Sequence, residues 1–103
     1  RFIRTHLPKE TYCGDASRLQ LGKYDLLLAN IHRNIILMDL RTYSRSLRAG
    51  GVLLLSGVYE SDIPDIRTEA VKCGLEFIRQ RVENGWACLH FRRDRSLRTE
   101  EIL

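Results

Sequence analysis

The residues best placed to do chemistry stand at the end of one stretch, 24–33, which reads YDLLLANIHR. Leu26, Leu27, Leu28 and Ala29 run without polar interruption and stop at Asn30. A continuous apolar run of this length is the pattern of a strand covered on both faces by helices, which implies a parallel sheet. In open α/β sheets, ligands sit beyond the carboxyl ends of the strands, so Asn30 falls on the functional edge. Its amide offers an acceptor oxygen and two N–H donors without carrying charge. The plainer alternative is a strand-end turn residue. His32 and Arg33 follow at the mouth of the same crevice, where they meet either an acidic or carbonyl-rich substrate or only solvent.

Other chemistry-bearing residues are more scattered. Asp15 follows a β-prone piece at 11–13 and Gly14, and with Ala16 and Ser17 it makes a turn. Cysteines 13, 73 and 88 are odd in number and have neither CxxC nor Cys/His ligand spacing, so reduced thiols are expected, not a disulfide framework or a zinc site. His6 and His90 belong to no constellation. Trp86, in a strand after a turn, reads as core packing or as a lid over the sheet edge.

The elements that must position these residues follow in order. Residues 1–10 are polar and mixed, and residues 11–13 form a short strand. After Asn30 a helix is expected over about 34–48, because Ile36, Leu40, Tyr43 and Leu47 recur every three or four residues. Asn34 suits its N-cap, and Ala49-Gly50-Gly51 its end. Val52 opens a second continuous apolar strand running to Val58, completing a βαβ unit. Ser61 caps a further helix reaching Cys73, with Pro64 tolerated in the first turn and Gly74 closing it. Residues 75–82 and 86–92 are strands joined through Asn84-Gly85, a strong hairpin signal, and 94–103 is expected to be a frayed tail.

With 103 residues, 44% of them hydrophobic, the chain is one ordered domain. Its net charge of +4 is spread along the chain, with a denser patch at Arg92, Arg93, Arg95 and Arg98. That balance fits an RNA-rich or ribosomal neighbourhood, or a solvated surface alone. No apolar run approaches the ~20 residues that span a bilayer, and a cytoplasmic location is expected. A start at Arg1 in place of methionine suggests an excised fragment.

The runs YDLLLANIHRNIIL, GGVLLLSGVY and GLEF with NGWACLHFRR resemble the carboxyl-terminal half of the PrmA family, the S-adenosylmethionine-dependent methyltransferases of large-subunit ribosomal protein eleven. The likeness covers about 12–93, and its most specific element is LANI at 28–31 with Asn34 beyond it. It implies a Rossmann-like methyltransferase sheet: α/β, parallel strands with crossover helices, ending in an antiparallel hairpin. By resemblance Asn30 is catalytic and also touches S-adenosylmethionine, Asp15 and Ala16 hold the adenine, and Ile31 and His32 meet the substrate. The family's glycine-rich first strand–loop–helix and its ribose-binding acidic residue have no counterpart here, so the chain is half a cofactor site and is expected to be inactive alone.

For that family the reaction is methyl transfer to an amine, an in-line displacement in which positioning dominates. The Asn30 oxygen and the backbone carbonyls after it can accept the amine's N–H groups and so aim its lone pair. Related enzymes acting on a nucleic-acid base or a glutamine amide carry Pro-Pro and an aromatic after the asparagine, whereas this chain has Ile31-His32-Arg33. That favours a flexible lysine or amino-terminal amine of a ribosomal protein, with no direct nucleic-acid binding. A non-enzymatic α/β interaction module is the remaining class. Without a first strand, the apolar edge at Leu26–Leu28 needs a cover. The candidates are the 11–13 piece folding across and an isologous edge-strand homodimer, the alternative being a frayed edge with the hairpin and last two helices as the stable part.

Overall fold

The apolar run at 24–30 does form a strand, and the sheet grows outward from it on both sides. The computed structural model describes residues 3–7 and 10–14, as backbone, and 20–95. In chain order the elements are β1 (Ile3–Leu7), β2 (Glu10–Gly14), β3 (Tyr24–Asn30), α1 (Arg33–Ser46), β4 (Leu47–Tyr59), a 3₁₀ turn (Glu60–Asp62), α2 (Ile63–Lys72), β5 (Leu75–Glu83) and β6 (Trp86–Arg93). The strand order is β2-β1-β3-β4-β6-β5. β3 and β4 pair in parallel across the α1 connection, and β6 runs antiparallel between β4 and β5. The expected βαβ unit and terminal hairpin are therefore both present. Asn84 and Gly85 take φ of 52° and 81°, the left-handed pair that a two-residue hairpin of matching twist requires.

Local corrections have identifiable causes. α1 begins at Arg33 with His32, not Asn34, at the N-cap; the Asn34 amide oxygen instead accepts from Arg33 at 3.0 Å. α1 ends at Ser46, two residues early, and its free last carbonyls are taken by other parts of the chain. Gly22 and Lys23 N–H donate to the carbonyls of Arg45 and Ser46 at 2.8 and 2.9 Å. Arg93 donates to the Leu47 carbonyl. β4 then starts at Leu47, and residues 48–51 loop out between the pairings Tyr24–Leu47 and Leu26–Val52. Asp62, not Ser61, is the N-cap of α2, and Pro64 sits in its first turn as expected.

The β3 edge is covered, but not by the segment named for it. β1 pairs antiparallel with β3, placing Arg4 opposite Leu28 and His6 opposite Leu26. β2, which contains 11–13, lies outside β1. Ile3–Leu7, within the segment read as polar and mixed, thus supplies the cover. The 94–103 tail is described only at Asp94 and Arg95, and Asp94 N–H is tied to Gly74 at 3.0 Å; the rest lies outside the described residues.

The described helices cover one face of the sheet. The rows Leu27–Leu53–Phe91 and Ala29–Leu55–Leu89 are buried and pack with Ile36, Leu40, Tyr43, Ile63 and Ile66 of the helices in one core. The neighbouring rows Leu28–Leu54–His90 and Leu26–Val52–Arg92 are half-buried. The continuous apolar run was expected to be covered on both faces. Among the described residues no helix lies over the second.

His90 on that open face has a buried Nε2 without a hydrogen-bond partner among the described residues. Desolvation, followed by the charges of Arg79 and Arg92, lowers its pKa from 6.5. The folded state thus holds His90 neutral where the unfolded chain would bind a proton. The stability this gives is full above the unfolded pKa and is lost as pH falls through the lowered folded value. In thermal unfolding across mildly acid pH, His90→Gln should show a shallower decline of Tm than the parent sequence; parallel declines would remove His90 as the cause.

Candidate active site

Asn30 ends β3 opposite Ser56 of β4, and the next residue locks the junction: Ile31 N–H donates to the Ser56 carbonyl at 3.3 Å. The Ile31 side chain is buried in the core, while His32 is exposed and its carbonyl accepts from Ile35 and Ile36 at 3.1 and 3.0 Å to start α1. A core anchor on one side and a helix start on the other hold Asn30 at the rim, where it is exposed.

Two cavities meet there. One, of about 280 Å³, is lined by Asn30, Ile31, His32, Ile35, Gly57 and Trp86. The other, about 310 Å³, takes Asn30, Gly57 and Trp86 again and adds Ser56, Arg81, Glu83 and Cys88. Three of the residues named from the sequence, Asn30, Ile31 and His32, are thus brought together. Asp15 and Ala16 lie outside the described residues. Arg33 turns away from the crevice: it bonds Asp65 at 2.6 Å and pairs with Asp62 at 3.7 Å, joining the two helices.

Of the two places the sequence left open for Trp86, core packing or a lid over the sheet edge, the structure takes the second. Trp86 is 48% exposed, not core, and stacks on Tyr59 with ring centroids 4.5 Å apart. The two are cross-strand partners at the ends of β4 and β6, so the Asn84-Gly85 hairpin swings the indole over the Asn30 crevice. The signal that decides between the two is the hairpin register, which pairs the first residue after the turn with the end of the sheet. The crevice therefore offers an uncharged acceptor, an aromatic wall and a charged rim at Arg81 and Glu83. Among the described residues no group of three or more His, Cys, Asp or Glu is placed to hold a metal ion.

The sheet and its helices define the class as a fragment of a Rossmann-like domain, matching folds found in methyltransferases. Among solved structures it is similar to the ribosomal protein L11 methylase of Lactobacillus delbrueckii subsp. bulgaricus, with a TM-score of 0.70 at 23% identity over 76% of this chain and 40% of that one. It is also similar to the Thermus thermophilus 16S rRNA N2 G1207 methyltransferase, solved with AdoMet and guanosine, with a TM-score of 0.62 at 19% identity over 77% of this chain and 22% of that one.

Sequence makes the assignment narrower. The chain belongs to the ribosomal protein L11 methyltransferase (PrmA) family, whose profile matches residues 5–94. It is 47% identical over 79 residues to the ribosomal protein L11 methyltransferase of Bacteroides fragilis, and 46% identical over 82 residues to that of Porphyromonas gingivalis. These matches take in 76% and 79% of the chain but only 28% of each relative. The chain thus spans little more than a quarter of the length of these relatives.

Proposed function

We propose that the whole protein to which this chain contributes transfers methyl groups from S-adenosylmethionine to lysine and amino-terminal amines of a ribosomal protein, at the Asn30 crevice. The observation that carries this is the meeting of two cavities at Asn30, Gly57 and Trp86. An in-line displacement needs its two reactants on opposite sides of one point, with the nucleophile's lone pair aimed through it. S-adenosylmethionine supplies the activated methyl group. The residues here handle the amine. Asn30 Oδ1 and the Ile31 carbonyl oxygen both lie close to Gly57, 2.4 and 3.4 Å from where a Cβ on it would stand, so two uncharged acceptors stand near each other at the crevice and can accept N–H groups from an amine bound beside them. An uncharged acceptor pair beside the Trp86 wall orients a neutral amine without re-protonating it, and partial desolvation favours that neutral form of a lysine whose ordinary pKa is about 10.4.

Asp15 and Ala16 would hold the adenine, and Asn30 would also border the cofactor. The glycine-rich first strand–loop–helix and the ribose-binding acid would come from the rest of the protein, so these 103 residues alone would be inactive. The half-buried Leu26, Leu28, Val52 and Leu54 on the open face support a larger domain, because a soluble sheet normally buries such a row. With the β3 edge already paired to β1, an edge-strand homodimer through that edge is disfavoured. No described helix is long and apolar enough to cross a membrane, and a ribosomal protein substrate would place the reaction in the cytoplasm.

One observation favours a second reading. The Trp86–Tyr59 stack is an aromatic platform, which the sequence after Asn30 lacks, and a planar base or amide could lie on it. Family membership favours a ribosomal protein. Incubating the whole protein with S-adenosylmethionine and either the ribosomal protein or ribosomal RNA, followed by mass spectrometry, separates the two: methylated amines support the proposal, and methylated bases alone overturn it.

Trp86→Ala tests the wall. An aliphatic ammonium on its way into the crevice is attracted to the indole face by about 0.5–2 kcal/mol. KM for the protein substrate should therefore rise by roughly 2- to 30-fold, with kcat changed less. An unchanged KM would make the stack a packing feature of the hairpin.

A further inference from the structure

Gly57 sits where β4 leaves its ladder with β6, in the irregularity between Leu55 and Val58. Its φ is +83°, and a Cβ placed on it would stand 2.4 Å from Asn30 Oδ1, with the Ile31 nitrogen and oxygen next at 3.4 Å. Only the first of these is below van der Waals contact. The bare Cα is thus matched to one atom, the acceptor oxygen of Asn30. Asn30 is exposed, and a rim side chain of that kind samples several rotamers unless something holds it. Here the α-carbon of Gly57 forms the floor on which the oxygen rests, and the strand pairing of Asn30 with Ser56 and the Ile31–Ser56 hydrogen bond keep the two backbones at fixed separation.

We infer that Gly57 is a positioning residue which, by lacking a side chain, sets the direction of the Asn30 amide oxygen into the crevice. Any L-side chain there pushes Oδ1 off this floor and re-aims the acceptor. Gly57 itself need not touch substrate. The kinetic consequence rests on the amine-methyltransferase reading, whereas the contact does not.

A double-mutant cycle in the whole protein tests both. Gly57→Ala should lower kcat on the order of 10- to 100-fold, since an ångström of misplacement is worth that much. The Asn30→Ala, Gly57→Ala pair should have the kcat of Asn30→Ala alone. In thermal unfolding, the loss of Tm from Gly57→Ala should shrink once Asn30 is alanine, because the clash is gone and only the backbone strain remains. If Gly57→Ala does not fold, recovery of folding in the pair supports the inference, and an unfolded pair overturns it. Losses in kcat that multiply, or full turnover by Gly57→Ala, also overturn it. Should Asn30→Ala prove fully active, the proposed reaction at this site falls, and the Tm cycle alone then decides: coupling keeps the contact, additivity removes it.

Discussion

Asn30→Ala in the whole protein is expected to lower kcat for methyl transfer on the order of 100-fold while leaving the fold unchanged. The size follows from what the amide does. His32 and Glu83 each line only one of the two cavities. Asn30 is common to both. Losing its oxygen leaves the amine with the Ile31 carbonyl as sole fixed acceptor, so the lone pair is no longer aimed. The fold should tolerate the change because the side chain is exposed, and exposed substitutions cost about 0.5 kcal/mol or less. Asn30→Asp is a sharper comparison: it keeps the shape but adds a charge that would hold the amine protonated. Single-turnover rates for both variants, with circular dichroism as a fold control, check the expectation. Wild-type rates in Asn30→Ala would take this residue out of the mechanism.

The largest stability effect is expected at Arg93. It stands in the denser basic patch at Arg92, Arg93, Arg95 and Arg98, which composition alone leaves to a solvated surface, yet it is 2% exposed and donates to the Leu47 carbonyl. Leu47 is the C-cap of α1 and the first residue of β4. The guanidinium therefore meets the negative end of the helix, where a cation is favoured, and satisfies a carbonyl the helix leaves open. Truncation to alanine opens a cavity and strands that carbonyl, at a cost of about 3–5 kcal/mol. Arg93→Met keeps most of the volume and should cost about 1–3 kcal/mol. Urea unfolding of the two variants measures the difference. Equal midpoints for parent and Arg93→Ala would return Arg93 to the surface.

The contrast between Arg93 and Asn30 marks what this sequence discloses. Asn30, α2 and the hairpin were legible because each rests on local signals: an apolar run ending in a polar residue, helical spacing closed by Gly74, and Asn-Gly between strands. Arg93 looks like its neighbours Arg92 and Arg95, and only the meeting of β6 with the α1 terminus buries it. β1 was missed for a similar reason: a polar, mixed segment becomes a strand by pairing with the free edge of β3, a long-range event that propensity does not record. The apolar runs suggested helices on two faces, and among the described residues helices lie over one. For Trp86 the sequence left core and lid both open, and the hairpin register carries it to the rim. Asp15 and Ala16 rest on resemblance to the family.

The central claim is that Asn30 holds the amine that accepts the methyl group. A crystal structure of the whole protein with S-adenosylhomocysteine and a lysine-bearing segment of its ribosomal protein substrate tests it most directly. The account predicts the lysine nitrogen within about 3 Å of Asn30 Oδ1, its aliphatic stem along Trp86, and the cofactor sulfur on the far side of the nitrogen. A lysine nitrogen bound elsewhere in the crevice, with Asn30 facing solvent, would contradict it.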